Sequence, residues 1–333
     1  MGGDHGPEVI LPASIKSLVR HKNLHLILVG DEKILTETLA NHDISDHPRI
    51  ITVFTTEVVG MNESPSAALR SKKDSSMRVA INQVKNGAAQ ACVSAGNTGA
   101  LMAIARFVLK TQPGIIRPAI IARLPTRIEG KEVRMLDLGA NVDSSAENLF
   151  QFAIMGSVLT SAVENIPEPK VGLLNIGEEE IKGNEVVKEA SELLSKYSMI
   201  NYIGYVEGDD IFSGDVDVVV CDGFVGNVAL KTLEGAAQLF TDHIKKAFSS
   251  SWLIKLGAFL ASPARKYLRK SLDPRRRNGA SLAGLQGIVI KSHGSADSLA
   301  FHYAIEEAVL EIEKNVSERT KEQIANLLKE SAK

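Results

Sequence analysis

A mostly parallel β-sheet covered by helices on both faces is the fold that this sequence predicts. Short apolar runs rich in β-branched residues alternate with longer amphipathic segments over most of the chain, a pattern typical of parallel sheets buried on both faces. The 333 residues contain no tandem repeat and no Pro/Gly-rich linker, so we expect one domain over residues 1–333. Hydrophobic residues make up 44% and charged residues 23%, a balance that excludes disorder as the main state.

Eight strands are predicted, each from a short apolar run. They cover residues 24–30, 50–54, 90–94, 118–123, 133–139, 171–177, 216–223 and 287–294. Most of the segments between them have the apolar period of amphipathic helices. The predicted helices cover residues 65–72, 76–86, 98–110, 147–164, 184–196, 227–247 and 297–330.

Composition excludes several classes of protein. The net charge of −2 gives no basic field for nucleic acid, and aromatic residues, at 5%, are too few for a base-stacking platform. The two cysteines, Cys92 and Cys221, lie in apolar runs and are predicted to be buried thiols. The sequence shows neither a signal-peptide pattern nor a run of ~18 apolar residues, so we expect a cytoplasmic protein that touches a membrane only from its surface.

One arrangement recurs five times: a strand, then a loop rich in glycine and amide side chains, then a helix. The five segments are QACVSAGNTG, RMLDLGANVD, GLLNIGEEEIKGN, VVVCDGFVGN and IVIKSHGSAD. Small residues let a ligand approach the backbone, and helix N-termini direct N–H groups at it. We expect all five loops at one edge of the sheet, forming a site for an anionic, phosphate-bearing ligand. Glycine and asparagine are also ordinary turn residues, so one such loop alone indicates little.

Several familiar catalytic motifs are absent from the sequence. It contains neither a GxGxxG dinucleotide fingerprint after the first strand nor a GxxxxGK[ST] loop. It also lacks an HExxH metal motif, a His/Asp/Glu cluster at ligand spacing and a GxSxG nucleophile elbow. We therefore expect phosphate chemistry without a nucleoside triphosphate, a metal or a protein nucleophile.

At these loops the sequence resembles the bacterial phosphate acyltransferases of phospholipid synthesis (the PlsX family, acyl-acyl carrier protein:phosphate acyltransferases). The matching segments are MGGDHGP, SSMRVA, ACVSAGNTGALM, LDLGANVD, FAIMGSV, LLNIGEEEIKGNE, VVCDGFVGNVALKTLEG and NGASLAGLQGIVIKSHGSAD, in order from residue 1 to about residue 300. Members of that family carry a short apolar strand before MGGD. We therefore expect either a start upstream of Met1 or a sheet without its first strand, with Asp4 and His5 less firmly anchored.

The resemblance implies both an activity and a fold. The activity is transfer of a fatty acyl group from acyl carrier protein to inorganic phosphate, giving an acyl phosphate that a membrane glycerol-phosphate acyltransferase consumes. The fold is a three-layer α/β/α fold like that of isocitrate and isopropylmalate dehydrogenases. A homodimer and peripheral association with the cytoplasmic membrane are also implied, and no cofactor is.

Two residues are the candidates for catalysis. Lys182, beside Gly183 in the GEEEIKGN loop, is the candidate cation for phosphate, and its alternative is a solvated surface lysine. Asn227 could donate its amide to phosphate or to the thioester carbonyl, and its alternative is the N-cap of the following helix. The family resemblance favours a catalytic role for both Lys182 and Asn227.

A second set of residues in the same loops is predicted to bind phosphate or substrate. The set is Gly3, Asp4, Gly96, Asn97, Thr98, Gly99, Asn141, Asp143, Gly177, Gly226, Ser292 and His293. The polar members could instead be helix caps or turn formers, and His293 could either protonate the leaving thiolate or be a structural histidine. We reject an acyl thioester on Cys92 or Cys221, because cysteines in strands are usually buried core residues.

Residues 247–277 do not fit the alternating pattern. Trp252, Leu256, Phe259 and Leu260 form one apolar stripe at helical spacing. Basic residues follow them, namely Arg265, Lys266, Arg269, Lys270, Arg275, Arg276 and Arg277. The segment could be a dimer interface, a membrane-interface helix or a contact for acidic acyl carrier protein.

Three alternatives to a carrier-protein-dependent enzyme remain. A coenzyme A-dependent phosphate acetyl- or butyryltransferase would perform similar chemistry without the basic amphipathic segment. A dehydrogenase of the same fold would need a set of carboxylates to bind its divalent metal, and this sequence shows no such set. A non-catalytic scaffold that binds acyl carrier protein at the membrane would have no use for five anion-binding turns.

Overall fold

The computed structural model describes residues 1–249, 251–263 and 273–330, and the strands in these residues form two sheets. The strands are β1 (Leu26–Gly30), β2 (Ile50–Phe54), β3 (Ala91–Ser94), β4 (Ala119–Pro125), β5 (Glu132–Leu136), β6 (Val171–Leu174), β7 (Tyr202–Val206), β8 (Val218–Val220), β9 (Ala280–Ala283) and β10 (Ile288–Lys291). β1 and β2 pair in parallel as a small sheet. The others form one sheet in the order β3-β10-β9-β4-β5-β8-β6-β7. All eight predicted strands are present, and β7 and β9 are additional.

The helices begin mostly where capping residues precede an amphipathic segment. They are α1 (Pro7–Arg20), α2 (Glu32–Asn41), α3 (Pro65–Ser71), α4 (Ser76–Lys85), α5 (Thr98–Leu109), α6 (Ala146–Glu164), α7 (Glu185–Ser195), α8 (Gly223–Ser249), α9 (Trp252–Leu260), α10 (Ser298–Glu313) and α11 (Val316–Glu330). Asn184 caps α7 and Asp297 caps α10, each through a side-chain oxygen that accepts a backbone N–H at 2.9 Å. The predicted helix over 297–330 is two helices, and α1 and α2 were not predicted.

Alternate side chains of the large sheet face opposite helical layers. Leu136 and Val220 pack in the core that contains α6, whereas Met135 and Val219 pack in the core that contains Leu230 of α8. At the other end of the sheet, α4 and α5 cover one face, and α1 and α10 cover the other. The predicted three-layer α/β/α arrangement is therefore confirmed.

The prediction that the five loops leave one edge of the sheet is wrong. β9 pairs antiparallel with both β10 and β4, and β4 pairs antiparallel with β5. These three reversals leave β3 and β10 running opposite to β5, β8 and β6, although each of those groups is parallel within itself. The loops after β3 and β10 consequently leave one edge and the other three loops leave the opposite edge. Because β9 has only four residues, the edges are about 13 Å apart there.

The small sheet is separated from the large one by a cavity. The cavity has a volume of about 620 Å³ and lies between β1 and β3, with apolar side chains from both strands in its lining. Met1 is part of the lining, and its side chain lies against Gly30. The Gly2–Gly3–Asp4 loop is held, because the N–H of Asp4 donates to the carbonyl of Gly294 at 2.8 Å.

A cluster of charged side chains is buried under α10. Arg134 on β5 pairs with Glu307 of α10 at 2.9 Å and with Glu164 of α6 at 3.0 Å. Arg123 on β4 lies 3.4 Å from Glu307 as well. The pKa of the neighbouring Glu311 is raised to about 8, first by burial and second by the charge of Glu307. Ion pairs in this cluster therefore connect β4, β5 and α6 to α10.

Candidate active site

The loops after β5 and β8 are held together by a buried carboxylate. Asp137 accepts hydrogen bonds from the backbone N–H groups of Ile120 at 2.9 Å, Ala140 at 3.0 Å and Asn141 at 2.7 Å. Burial raises the pKa of Asp137, and these hydrogen bonds oppose the shift. The N–H of Gly223 donates to the carbonyl of Asn141 at 2.9 Å, which fixes the start of α8 against the loop after β5.

Asn227 lies in the second turn of α8 and faces this loop. A Cβ built on Gly139 would lie 3.5 Å from the Asn227 Cβ, and one built on Gly226 would collide with the Asp137 carbonyl. The N-cap interpretation of Asn227 is wrong, because α8 begins at Gly223 and the side chain of Asp222 accepts the N–H of Val225 at 2.9 Å. Asn227 is exposed, and its amide makes no hydrogen bond to the residues that the structure describes.

Lys182 lies in the loop after β6, at the same edge of the sheet, because β6 and β8 are parallel neighbours. Its backbone is fixed, because its N–H donates to the backbone carbonyl of Glu179 at 2.9 Å and its carbonyl accepts from the Asn175 amide at 3.3 Å. A Cβ on Gly177 would lie 2.9 Å from the Lys182 Cγ, so the Lys182 side chain lies directly against Gly177. Lys182 is exposed, and within the described ranges its ammonium forms no ion pair. It is therefore available to an anion.

Apolar side chains surround these two residues on the same three loops. Ile176 and Ile181 are 79% and 82% exposed, and Val142 and Phe224 are 67% and 63% exposed. Exposed apolar side chains that cluster around polar groups are typical of sites that bind apolar ligands or partners. The edge thus combines a cation, an amide and an apolar surface.

The loops after β3 and β10 form a second group, together with the N-terminal segment. The N–H of Ser292 donates to the carbonyl of Ser94 at 2.8 Å. A Cβ on Gly2 would lie 2.8 Å from the Gly96 Cα, and one on Gly3 would lie 3.1 Å from the carbonyl oxygen of Gly294. The structure therefore brings Gly3, Asp4, Gly96, Ser292 and His293 close together, away from the loops of Lys182 and Asn227.

Several predicted binding residues use their side chains to hold the fold. Asn97 caps α5 and donates to the carbonyls of Met61 at 2.7 Å and Glu63 at 2.9 Å. Asn141 donates to the carbonyl of Pro118 at 2.8 Å, and buried Ser292 accepts from the Asn278 amide at 2.8 Å. For these three residues the geometry supports the cap and turn alternative.

The remaining predicted residues are placed as follows. Thr98 and Asp143 are exposed, and a Cβ on Gly99 would lie 2.8 Å from the Pro65 ring. His293 is exposed, and its Nδ1 forms a hydrogen bond with the Ser295 hydroxyl at 2.8 Å. Its role as an acid for the leaving thiolate stays a prediction.

Lys291 was missed by the sequence analysis, although it lies next to Ser292 in the KSHGS motif. It is the last residue of β10 and is only 8% exposed. Burial lowers its pKa to about 8, Asp4 raises it, and Lys231 of α8 lowers it further. Lys231 follows Asn227 by one helical turn, so Lys291 connects the second group of loops to the first.

Both cysteine thiols are buried. Burial raises the pKa of Cys92 to about 12, and burial together with Asp222 and Asp137 raises the pKa of Cys221. Neither thiol is therefore a ready nucleophile. In the described part of the chain, no three His, Cys, Asp or Glu side chains come together in a way that could hold a metal ion.

The segment over 247–277 is described only in part. Trp252 and Phe259 on α9 are each 72% exposed and Leu260 is 73% exposed. Arg275 pairs with Asp273 at 2.7 Å and Asp297 at 2.8 Å, so it is not part of an open basic surface. The side chain of Leu256 and the basic residues Arg265, Lys266, Arg269 and Lys270 lie outside the described residues. No described helix is long and apolar enough to cross a membrane.

Comparison with solved structures supports the fold. The chain matches a phosphotransacetylase from Streptococcus pyogenes with a TM-score of 0.60 and 19% identity, over 93% of this chain and 92% of that one. It also matches a putative 4-hydroxythreonine-4-phosphate dehydrogenase from Salmonella typhimurium with a TM-score of 0.53 and 15% identity, over 93% of this chain and 97% of that one. The predicted dehydrogenase-like architecture agrees with these folds.

Comparison with protein sequences identifies the family. Residues 1–319 match the family described as "Fatty acid synthesis protein". The chain is 57% identical to the phosphate acyltransferase of Legionella pneumophila (strain Paris), over 98% of this chain and 95% of that protein. It is 58% identical to the phosphate acyltransferase of Coxiella burnetii (strain Dugway 5J108-111), over 99% of this chain and 96% of that protein. The chain therefore belongs to the bacterial phosphate acyltransferases, a family of acyltransferase enzymes.

Proposed function

We propose that this protein transfers a fatty acyl group from acyl carrier protein to inorganic phosphate, forming the acyl phosphate used in phospholipid synthesis. The observation that carries the proposal is the edge where the Lys182 ammonium and the Asn227 amide, both without a partner among the described residues, lie among exposed apolar side chains. The three features match a phosphate, a thioester carbonyl and an acyl chain respectively.

Phosphate is the nucleophile in the proposed reaction. A phosphate oxygen attacks the thioester carbonyl carbon, the C–O bond forms and the C–S bond breaks. The proton of hydrogen phosphate ends on the thiolate of the carrier's prosthetic group, so the products are acyl phosphate and free thiol. Lys182 binds and orients phosphate, and Asn227 donates to the carbonyl oxygen as negative charge develops there. The raised pKa of both cysteines supports direct attack rather than an acyl-enzyme.

A coenzyme A-dependent phosphate acetyl- or butyryltransferase is the second candidate. The fold shared with the Streptococcus pyogenes phosphotransacetylase favours it. The exposed apolar residues beside Lys182, namely Ile176, Ile181, Val142 and Phe224, favour a long acyl chain instead.

One assay separates the two candidates. The full chain is incubated with inorganic phosphate and either palmitoyl-acyl carrier protein or palmitoyl- and acetyl-coenzyme A, and acyl phosphate is trapped with hydroxylamine. We expect product from the carrier-protein thioester, because the apolar edge matches its chain. Product from coenzyme A esters alone would support the second candidate. If folded protein gave no product from any donor, both candidate activities would be contradicted, and the non-catalytic scaffold that binds acyl carrier protein would be the remaining interpretation.

The same proposal includes a membrane contact and a homodimer. Acyl phosphate is apolar at one end and is consumed by a membrane enzyme, the glycerol-phosphate acyltransferase that the family resemblance implies. The exposed apolar side chains of α9 suit the interface of a bilayer, with Trp252 at the level of the headgroups. The exposed apolar residues of α8, Leu239, Phe240 and Ile244, are the proposed dimer contact.

Binding to vesicles tests the membrane contact. We expect F259E to reduce partitioning onto vesicles that contain anionic lipid by about tenfold or more, because a charge replaces the phenyl ring that would insert into the bilayer interface. V19E is the matched control, since Val19 is an apolar residue of α1 that is 78% exposed. Equal loss in both variants, or no loss in F259E, would contradict the contact and leave the dimer interpretation for α9.

A further inference from the structure

Lys291 has the burial of a core residue but lacks the partner that a buried cation needs. It is 8% exposed, at the end of β10. Its ammonium donates to the carbonyl of Ser292, and among the described residues it forms no ion pair with a carboxylate. A lysine ammonium removed from water without a counter-charge is unfavourable, so such residues are rare unless they are paired or bind an anion.

The surroundings of Lys291 increase this demand for negative charge. Along the register of the sheet, Lys291 lies opposite Ala280 of β9, which packs in the same core as Leu230 and Leu233 of α8. The side chain of Lys291 therefore projects to the face that α8 covers. The charged groups that face it are Asp4 in the N-terminal segment and Lys231 on α8.

Neither Asp4 nor Lys231 neutralises Lys291 by direct contact. Asp4 is exposed and forms no ion pair with Lys291, and Lys231 adds a second positive charge. Lys231 itself pairs with Glu234 at 2.7 Å. A buried ammonium group that also experiences the positive charge of a second ammonium is stabilised by a nearby dianion.

We infer that Lys291 and Lys231 form a pair of phosphate-binding cations, additional to Lys182, that holds the phosphate substrate one helical turn beyond Asn227 on α8. The inference rests on the proposed function. Phosphate held by Lys231 lies one helical turn from Asn227, close to where the proposed carbonyl is bound. The two lysines therefore link the loops after β3 and β10 to the reaction at the opposite edge of the sheet.

Steady-state kinetics of the full chain test the inference. K291M and K231M should each raise the KM for phosphate by roughly tenfold to a hundredfold, since each removes a charge-assisted hydrogen bond, and change the KM for the acyl donor by less than about twofold. The matched control is K33M, since Lys33 lies on α2 and its side chain is 83% exposed. An unchanged KM for phosphate, or an equal rise in both KM values, would overturn the inference.

Thermal unfolding separates this inference from the proposed function. Inorganic phosphate should raise the Tm of the wild-type protein above that in chloride of equal ionic strength, and K291M and K231M should lose most of this rise. The shift needs no acyl donor, so it is measured even if no turnover is found. Lys231 is exposed, so K231M tests the site even if K291M does not fold. Equal shifts in all three proteins, or none in the wild type, would overturn the inference.

The pH profile provides a readout that a structural lysine would not change. Because the pKa of Lys291 is about 8, the ammonium loses its proton as the pH rises through this value. We expect kcat/KM for phosphate to fall above pH 8 in the wild type and this fall to be absent in K291M. A fall of the same size in both proteins would contradict the role of Lys291.

Discussion

Replacing Lys182 with alanine should lower kcat/KM for acyl phosphate formation by about a hundredfold or more, with little change in stability. Loss of one preorganised charge or donor at the reacting atoms typically has this effect on rate. Lys182 is exposed and forms no ion pair among the described residues, so its removal leaves no buried group without a partner. The measurement is the initial rate with palmitoyl-acyl carrier protein and phosphate, together with the Tm of the variant.

The neighbouring lysine of the same segment provides the control. Lys188 lies on α7, one turn beyond the loop, and pairs with Glu185 at 3.5 Å. K188A should retain activity within about threefold, because a surface ion pair contributes little. If K182A retained wild-type activity, or if K188A lost as much as K182A, Lys182 would be a solvated surface lysine.

Most strands could be predicted from the sequence because their signal is local. The apolar runs around β5 and β8 give strands that are buried on both faces, and such strands read as continuous hydrophobic segments. β9 was missed because Ala280–Ala283 is short and includes Ser281, which is buried and contacts Glu311 of α10. A polar residue whose partner lies thirty positions away gives no local pattern.

The direction of the strands could not be predicted, because pairing joins residues that are distant in sequence. β9 is antiparallel to both β10 and β4, so β10 and β4 run in the same direction, and the antiparallel pairing of β4 with β5 reverses the strands that follow. The apolar runs alone show none of these pairings and suggest one continuous parallel sheet. The prediction of five loops at one edge depended on that sheet. The structure therefore has two groups of loops where the sequence predicted one, and Lys291 lies in the second group, facing Lys231 of α8.

The candidate site was predicted in its residue types better than in their roles. Lys182 and Asn227 are exposed, as ligand-binding residues should be. The amides of Asn97 and Asn141, in contrast, already donate hydrogen bonds to backbone carbonyls. A loop motif does not tell whether an amide will cap a helix or bind a substrate, since both use the same donor. Lys291 was missed because sequence does not show that a lysine at the end of a strand is buried.

The buried charge cluster that joins the sheet to α10 predicts the second large effect. R134M should lower the free energy of unfolding by about 3–5 kcal/mol, because it leaves the carboxylate of Glu307 buried with its better partner removed. Glu307 is 1% exposed, and its remaining partner Arg123 lies at 3.4 Å rather than 2.9 Å. The measurement is urea unfolding of the wild-type protein and of R134M at pH 7.

Two further variants identify the cause of that loss. E164Q removes the other partner of Arg134, but Glu164 is 35% exposed, so we expect a loss of about 1 kcal/mol or less. The double variant R134M/E307L removes both buried charges and should recover most of the stability that R134M loses, since an apolar pair of similar volume often replaces a buried ion pair without cost. If the double variant were as unstable as R134M, lost packing of the arginine would be the cause.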